Sequence, residues 1–214
     1  MQIAILLYDR LTALDAVGPY EVFSRIPEAQ VVFTGERTGP LRTDIGSLGL
    51  VVDAPLEEVT RPDIVVVPGG PGQTALMADG PVHEWLRAVD ATSTWTTSVC
   101  TGSLILGAAG LLKGKRATSH WLALEQLPAL GATPVSERVV FDGKYVTAAG
   151  VSSGIDMALT LANRLGGDFL SQAVQLGIEY DPQPPHDAGS PAKAPAEVVE
   201  FLRSRSRFVL EGAE

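Results

Sequence analysis

The stretch Ser93-Thr94-Trp95-Thr96-Thr97-Ser98-Val99-Cys100-Thr101-Gly102-Ser103, continued by Leu104 to Leu112, decides the fold. Its first half is rich in threonine and other β-branched residues, which favours a strand. Its second half, SLILGAAGLL, is apolar with small residues and reads as a buried helix. Cys100, the single cysteine of the chain, stands at the joint. A thiol between strand end and helix start occupies a sharp turn, a cysteine version of the nucleophile elbow G-x-S-x-G with Ser98 at the first glycine position. Unpaired amides and the positive dipole end of the following helix are expected to favour thiolate over thiol. An inert core cysteine is the competing reading.

Composition bounds what surrounds that joint. A chain of 214 residues with 45% hydrophobic content buries a sizeable core, and one domain over 1–214 is expected. A net charge of −9 argues against a nucleic-acid partner, since little would neutralise phosphates. One cysteine forms no intramolecular disulfide, which suits a reducing cytoplasm. Gln2 to Tyr8 is strand-like and lacks the basic region and cleavage site of a signal peptide. Ala91 to Leu112 is uncharged, but its first half is mostly Ser and Thr and the remainder is too short to span a membrane. No membrane association is expected.

Working outward, strands alternate with helices. Ile3–Leu7 and Ile64–Val67 are continuous apolar runs, as in strands buried on both faces. Between them lie a helix to Ile26, with Pro19 fitting best as its first residue and Asp15 in the turn before it, although an earlier start capped by Asp15 is equally open, and a strand from Gln30 to Thr34. Leu41 to Asp53 reads as an extended excursion turning near Gly46. Pro68-Gly69-Gly70-Pro71-Gly72 follows the second apolar strand and can bring backbone amides to its carboxyl end, where open α/β sheets bind ligands. Val82–Val89 is an amphipathic helix. After the elbow, Lys113 to Arg116 is a basic turn, not a phosphate loop, because no Ser or Thr follows the lysine. Ala117–Ser119 is a short strand, and His120-Trp121 lead a helix to Leu127. Val135–Phe141 and Tyr145–Ala148 pair across Asp142-Gly143. Helices over 155–165 and 168–179 follow, then a Pro-rich surface loop over 181–195 and a C-terminal helix over 196–210. The sum is an α/β sandwich around a mainly parallel sheet flanked by helices. Right-handed crossovers would gather Asp15, the Gly69-Gly70 amides and Cys100 at one sheet edge.

Several stretches together resemble the ThiJ/PfpI superfamily, with the flavodoxin-like fold of class I glutamine amidotransferases. They are Leu14 to Pro19, Pro68-Gly69-Gly70, Thr97 to Gly102, Gly107 to Leu112, Lys113 to Trp121, Gly154 to Asp156, Glu179-Tyr180, Pro184-Pro185 and Ala188 to Pro191. The most similar branch is the isonitrile (isocyanide) hydratases. Protease-like members carry His directly after the nucleophile, where this chain has Thr101, and deglycase-like members usually carry Glu where it has Asp15. Both departures fit the hydratase branch. Related domains also open AraC-type regulators, but one helix beyond the Pro-rich loop leaves no room for a helix-turn-helix module.

The resemblance implies a small-molecule isocyanide substrate, Cys100 as nucleophile and Asp15 as general acid and base. It also implies that the amides of Gly70 and Thr101 face developing negative charge, with Val151 in a loop that contacts the nucleophile. A homodimer is implied as well. No metal or organic cofactor is expected, because Cys100, His83, His120 and His186 lack zinc-ligand spacing. His120, Trp121, Trp95 and Phe169 are expected to be structural, Thr101 to cap the following helix besides serving the site, and Asp156 to complement a helix dipole. A glyoxalase- or amidase-like activity through Cys100, or a non-enzymatic redox sensor, stays open.

Overall fold

Strands apolar on both faces must be covered on both faces, and the computed structural model, which describes residues 1–206, builds a sheet with helices on each side. In chain order the strands are β1 (Gln2–Leu6), β2 (Gln30–Gly35), β3 (Gly39–Arg42), β4 (Gly49–Val52), β5 (Ala54–Pro55), β6 (Ile64–Val67), β7 (Trp95–Val99), β8 (Arg116–Ala117), β9 (Thr133–Pro134), β10 (Val139–Asp142) and β11 (Tyr145–Ala148). Seven of them form the central sheet in the order β10-β11-β7-β6-β1-β2-β5. Every pair in it is parallel except β10 with β11. β3 pairs with β4 and β8 with β9 as two small side sheets.

The helices are α1 (Ala13–Phe23), α2 (Pro81–Asp90), α3 (Gly102–Ala108), α4 (Ser153–Gly177) and α5 (Ala196–Arg203). From β1 the chain crosses through α1 to β2 on one side, whereas from β6 it moves through α2 to β7 on the other. Right-handed crossovers in opposite directions put α1 and α2 on opposite faces. α1 packs against α4, and α2 against α3. The reversal of direction between β1 and β6 is a switch point, and the crevice at the strands' carboxyl ends lies there. The turns after β1, β6 and β7 do share that edge, as expected.

Several local expectations change. α1 begins at Ala13, so Pro19 lies inside the helix and Asp15 in its first turn. The early start is fixed from outside, because the Thr12 N–H donates to Gly69 O at 2.9 Å. Pro19 is tolerated where the helix meets α4: a Cβ on Gly154 would stand 3.1 Å from Pro19 Cγ. α3 stops at Ala108 rather than running to Leu112, and Gly110 then takes φ +83°. The 120–127 helix is instead a 3-10 segment, Leu124–Leu130. β10 begins at Val139 because the Val135 amide bonds Ala117 O beside the small β8–β9 sheet. Asp142 pairs with Tyr145, so Gly143-Lys144 is the hairpin loop. The helices over 155–165 and 168–179 are one element, α4, broken at Gly167 (φ +75°, ψ −177°). α5 ends at Arg203, and residues 207–210 of the expected C-terminal helix lie outside the described residues. Residues 181–195 carry no strand and no helix of regular length.

Candidate active site

The joint after β7 is a strained turn. Cys100 takes φ +58°, which a side chain with a Cβ rarely adopts. Hydrogen bonds hold it there. Its N–H is shared between Ala148 O (3.0 Å) and Ala149 O (2.9 Å). Its carbonyl accepts from Ser103 Oγ at 3.2 Å and Ser119 Oγ at 3.1 Å. Gly102 is needed for a different reason: a Cβ there would lie 2.0 Å from Val67 O, so the elbow is pressed against the end of β6. Strain of this kind, held by surrounding structure, collects at functional sites.

Asp15 reaches the same point from α1. Its Oδ2 accepts the Gly69 N–H at 2.9 Å, and the carboxyl lies close enough to the Cys100 thiol for each to bear on the other's titration. Oδ1 is buried without a hydrogen-bond partner among the described residues. The backbone amides of Thr101 and Val151 lie near the sulfur and favour its charged form. Val151 has φ +34°, a strained value for a β-branched residue, at the turn that aims this amide. Asp15 and Cys100 are both wholly shielded from solvent.

Burial dominates the electrostatics. Desolvation pushes the Asp15 carboxyl up to about 8, against the smaller opposing pull of the Gly69 amide and the thiol. Burial and then the neighbouring carboxylate push the Cys100 thiol well above its usual value, although two amides pull the other way. Burial thus works against the lowered thiol pKa expected of a cysteine before a helix. The helix behind it has seven residues, and its dipole is outweighed by loss of water.

The structure brings together Asp15, Gly69, Cys100, Thr101 and Val151, but it assigns Gly70 differently. The Gly70 N–H donates to Thr101 Oγ1 at 2.9 Å, so it holds a side chain rather than standing open to a ligand. Gly70 must be glycine, with φ +131° and space for a Cβ only 2.4 Å from Thr12 N. Thr101 Oγ1 in turn makes only a 3.4 Å contact to Gly70 O as donor. It makes no side-chain bond to cap α3.

Three features were not singled out from the sequence. Tyr8, just past β1, places its hydroxyl 2.9 Å from Pro68 O and feels the charges of both Asp15 and Cys100. Its signal was available: a polar aromatic ending an apolar strand at the sheet's carboxyl edge. Ser119 braces the elbow carbonyl. Arg138 pairs with Asp156 and approaches Ser152 Oγ at 3.3 Å, so Asp156 serves an ion pair rather than a helix dipole alone. A cavity of about 760 Å³ adjoins the elbow, with Ser119, His120, Trp121, Gly150, Val151 and Pro184 in its wall. Its rim includes part of the 181–195 loop. Trp121 is thus a cavity residue, whereas Phe169 is exposed on α4. Burial pulls the His120 imidazole down to about 4, so at neutral pH it carries no proton to give as an imidazolium. Among the described residues no group of three or more His, Cys, Asp or Glu could hold a metal ion. Nor is any described helix long and apolar enough to cross a membrane.

The DJ-1/PfpI family model matches residues 1–164. The chain belongs to the DJ-1/PfpI family. Among its relatives is the isonitrile hydratase of Pseudomonas putida, 46% identical over 206 residues, which cover 96% of this chain and 90% of the relative. A Pseudomonas syringae ThiJ/PfpI family crystal structure superposes with a TM-score of 0.92 at 37% identity, covering 99% of this chain and 90% of that one. Drosophila melanogaster DJ-1beta shares the fold at TM-score 0.75 and 22% identity, over 85% of this chain and 98% of that one. Both DJ-1/PfpI structures agree with the mainly parallel sheet found here.

Proposed function

We propose that this protein is an isonitrile hydratase, which adds water to R–N≡C and releases an N-substituted formamide. The observation that carries the reading is a thiol and a carboxyl sharing one buried site, Cys100 beside Asp15, with the backbone amides of Thr101 and Val151 favouring charge on the sulfur. The extent of identity to the Pseudomonas putida enzyme supplies the substrate class. An isocyanide is uncharged and its terminal carbon is electrophilic, so it suits a buried pocket end that offers a soft nucleophile and a proton donor.

The residues divide the work as follows. Sγ of Cys100 forms a bond to the isocyanide carbon while Asp15 accepts the thiol proton and passes it to that same carbon, giving a thioimidate. Water then adds to the carbon, with Asp15 taking its proton and the nitrogen gaining one. Breaking the C–S bond yields the formamide, and the sulfur regains its proton. The amides of Thr101 and Val151 stabilise negative charge on sulfur as it leaves. The Thr101 hydroxyl, anchored by the Gly70 amide, is positioned to donate to the substrate nitrogen. Gly70 therefore acts through Thr101. No step calls for a metal or organic cofactor.

The 1–214 chain acts as one domain in this reading, in the cytoplasm, and as a homodimer. Exposed apolar side chains support the association: Phe169 and Leu176 on α4, and Phe201 and Leu202 on α5, a helix with no buried residue. The test of the activity is incubation with a simple alkyl isocyanide, following loss of the N≡C stretch and appearance of the formamide. Cys100→Ala should abolish both while keeping the native circular dichroism. Normal formamide production by the alanine variant would overturn the covalent route, and no turnover by wild type with any alkyl or aryl isocyanide would overturn the function.

A further inference from the structure

Tyr8 is buried at the end of β1 and the reaction described above does not use it. Its hydroxyl donates to the carbonyl of Pro68 at 2.9 Å. The N–H of Gly69, on the other side of that same peptide unit, donates to Asp15 Oδ2 at 2.9 Å. One peptide plane is thus gripped at both ends, by a phenol on its oxygen and by the carboxyl on its nitrogen. The next carbonyl, Gly69 O, accepts the Thr12 amide at 2.9 Å, and the Gly72 amide bonds Arg10 O at 3.1 Å, so the whole turn is stitched to the segment that carries Tyr8.

We propose that Tyr8 is a positioning residue for Asp15: its hydroxyl orients and polarises the Pro68–Gly69 peptide, and that peptide holds the carboxyl facing Cys100. A hydrogen bond to a peptide oxygen draws electron density from the nitrogen and makes its N–H a better donor, and such chains strengthen one another. The effect is large enough to register because Asp15 has few other partners. Its Oδ1 has no hydrogen-bond partner among the described residues, and the groups that bear on its charge are Gly69, the Cys100 thiol and the carboxylate of Asp44 in the β3–β4 loop. The phenol itself stays protonated, because burial and the charges of Asp15 and Cys100 push it upward. It therefore acts as a fixed donor rather than as a proton source.

The inference rests on Asp15 being the acid and base of the proposed reaction, but its test reads the carboxyl directly. The infrared C=O band of protonated Asp15 is identified as the band lost in Asp15→Asn, and its pH midpoint is measured. Tyr8→Phe removes the donor, weakens the Gly69 bond to the carboxylate, and should raise that midpoint by about half a pH unit. Fluorotyrosine placed at position 8 alone is a stronger donor of nearly the same shape and should lower it. A midpoint unmoved by the substitutions, or moved in the same direction by both, overturns the proposal. If the phenylalanine variant does not fold, the direction given by fluorotyrosine decides. Because no isocyanide is involved, failure here is distinguishable from failure of the hydratase reading, which only turnover tests.

Discussion

Replacing Asp15 by Asn should remove the contribution that the buried carboxyl makes to the dependence of stability on pH. In the folded protein this carboxyl is pushed up to about 8, against an ordinary value of 3.8. The native state therefore holds the proton more tightly than the unfolded chain does. The stability tied to that proton is present in full below the unfolded value and is lost as pH rises towards the folded one. Between those limits the loss is about 1.4 kcal/mol per pH unit, so about 3 kcal/mol between pH 5 and pH 7. His120 works in the opposite sense: burial lowers it from 6.5 to about 4, so its contribution grows as pH rises between those values. The wild-type curve alone is consequently nearly level in mild acid and falls only beyond about pH 6.5, where Asp15 acts without this offset. Subtraction isolates the carboxyl, because His120 is common to both proteins. Asn keeps the acceptor for the Gly69 amide and carries no titration, so its advantage over wild type should grow steadily with pH. Urea unfolding of both proteins at pH 5 and pH 7 measures this directly. In thermal melts the same difference corresponds to a relative change in Tm on the order of 10 °C for a protein of this size. Parallel stability curves for the two proteins would refute the assignment of a buried, proton-retaining Asp15.

Other changes test other parts of the site. The same Asp15→Asn protein should lose about 10²- to 10⁴-fold in isocyanide turnover, measured by initial formamide release, because the proposed reaction uses this carboxyl as its acid and base. Thr101→Val leaves the Gly70 amide without its acceptor and removes the hydroxyl; a loss of roughly 10- to 100-fold in kcat is expected, with the fold intact by circular dichroism. Gly102→Ala drives a methyl group into the Val67 carbonyl, 2.0 Å from the ideal Cβ, and should lower stability by about 3 kcal/mol in urea unfolding along with activity. Sedimentation at micromolar concentration should show a dimer, and Phe169→Asp should shift it towards monomer.

The sheet was legible because its strands are buried on both faces. Ile64–Val67 and the Cys100 elbow are placed by composition alone, and the crossover rule then puts Asp15, Gly69 and Cys100 together. What misled was local chemistry overridden by distant contacts. Pro19 looks like a helix start, yet the Thr12 amide bound to Gly69 O fixes the start six residues earlier, at Ala13. Gly70 looks like an open amide, but only the folded arrangement shows Thr101 Oγ1 occupying it. Tyr8 and Arg138 act through partners more than fifteen residues away in sequence, and no spacing rule reaches that far.

The thiol shows how packing can reverse a local electrostatic expectation. A cysteine before a helix suggests a standing thiolate, because amides and the helix dipole favour negative charge. Here the same glycines that make the elbow possible also bury it. Gly69 and Gly102 let β6 and the elbow touch backbone to backbone, with a Cβ on Gly69 only 2.4 Å from Thr101 N. That contact shields Cys100 and Asp15 from solvent, and a charge on the carboxyl raises the cost of a charge on the sulfur. Burial therefore disfavours charge on both groups. In the proposed reaction charge develops on sulfur as Asp15 takes the proton, near the Thr101 and Val151 amides that favour it. Those two donors are held by positive φ at Cys100 and Val151, so the backbone strain is what keeps them oriented before any charge appears.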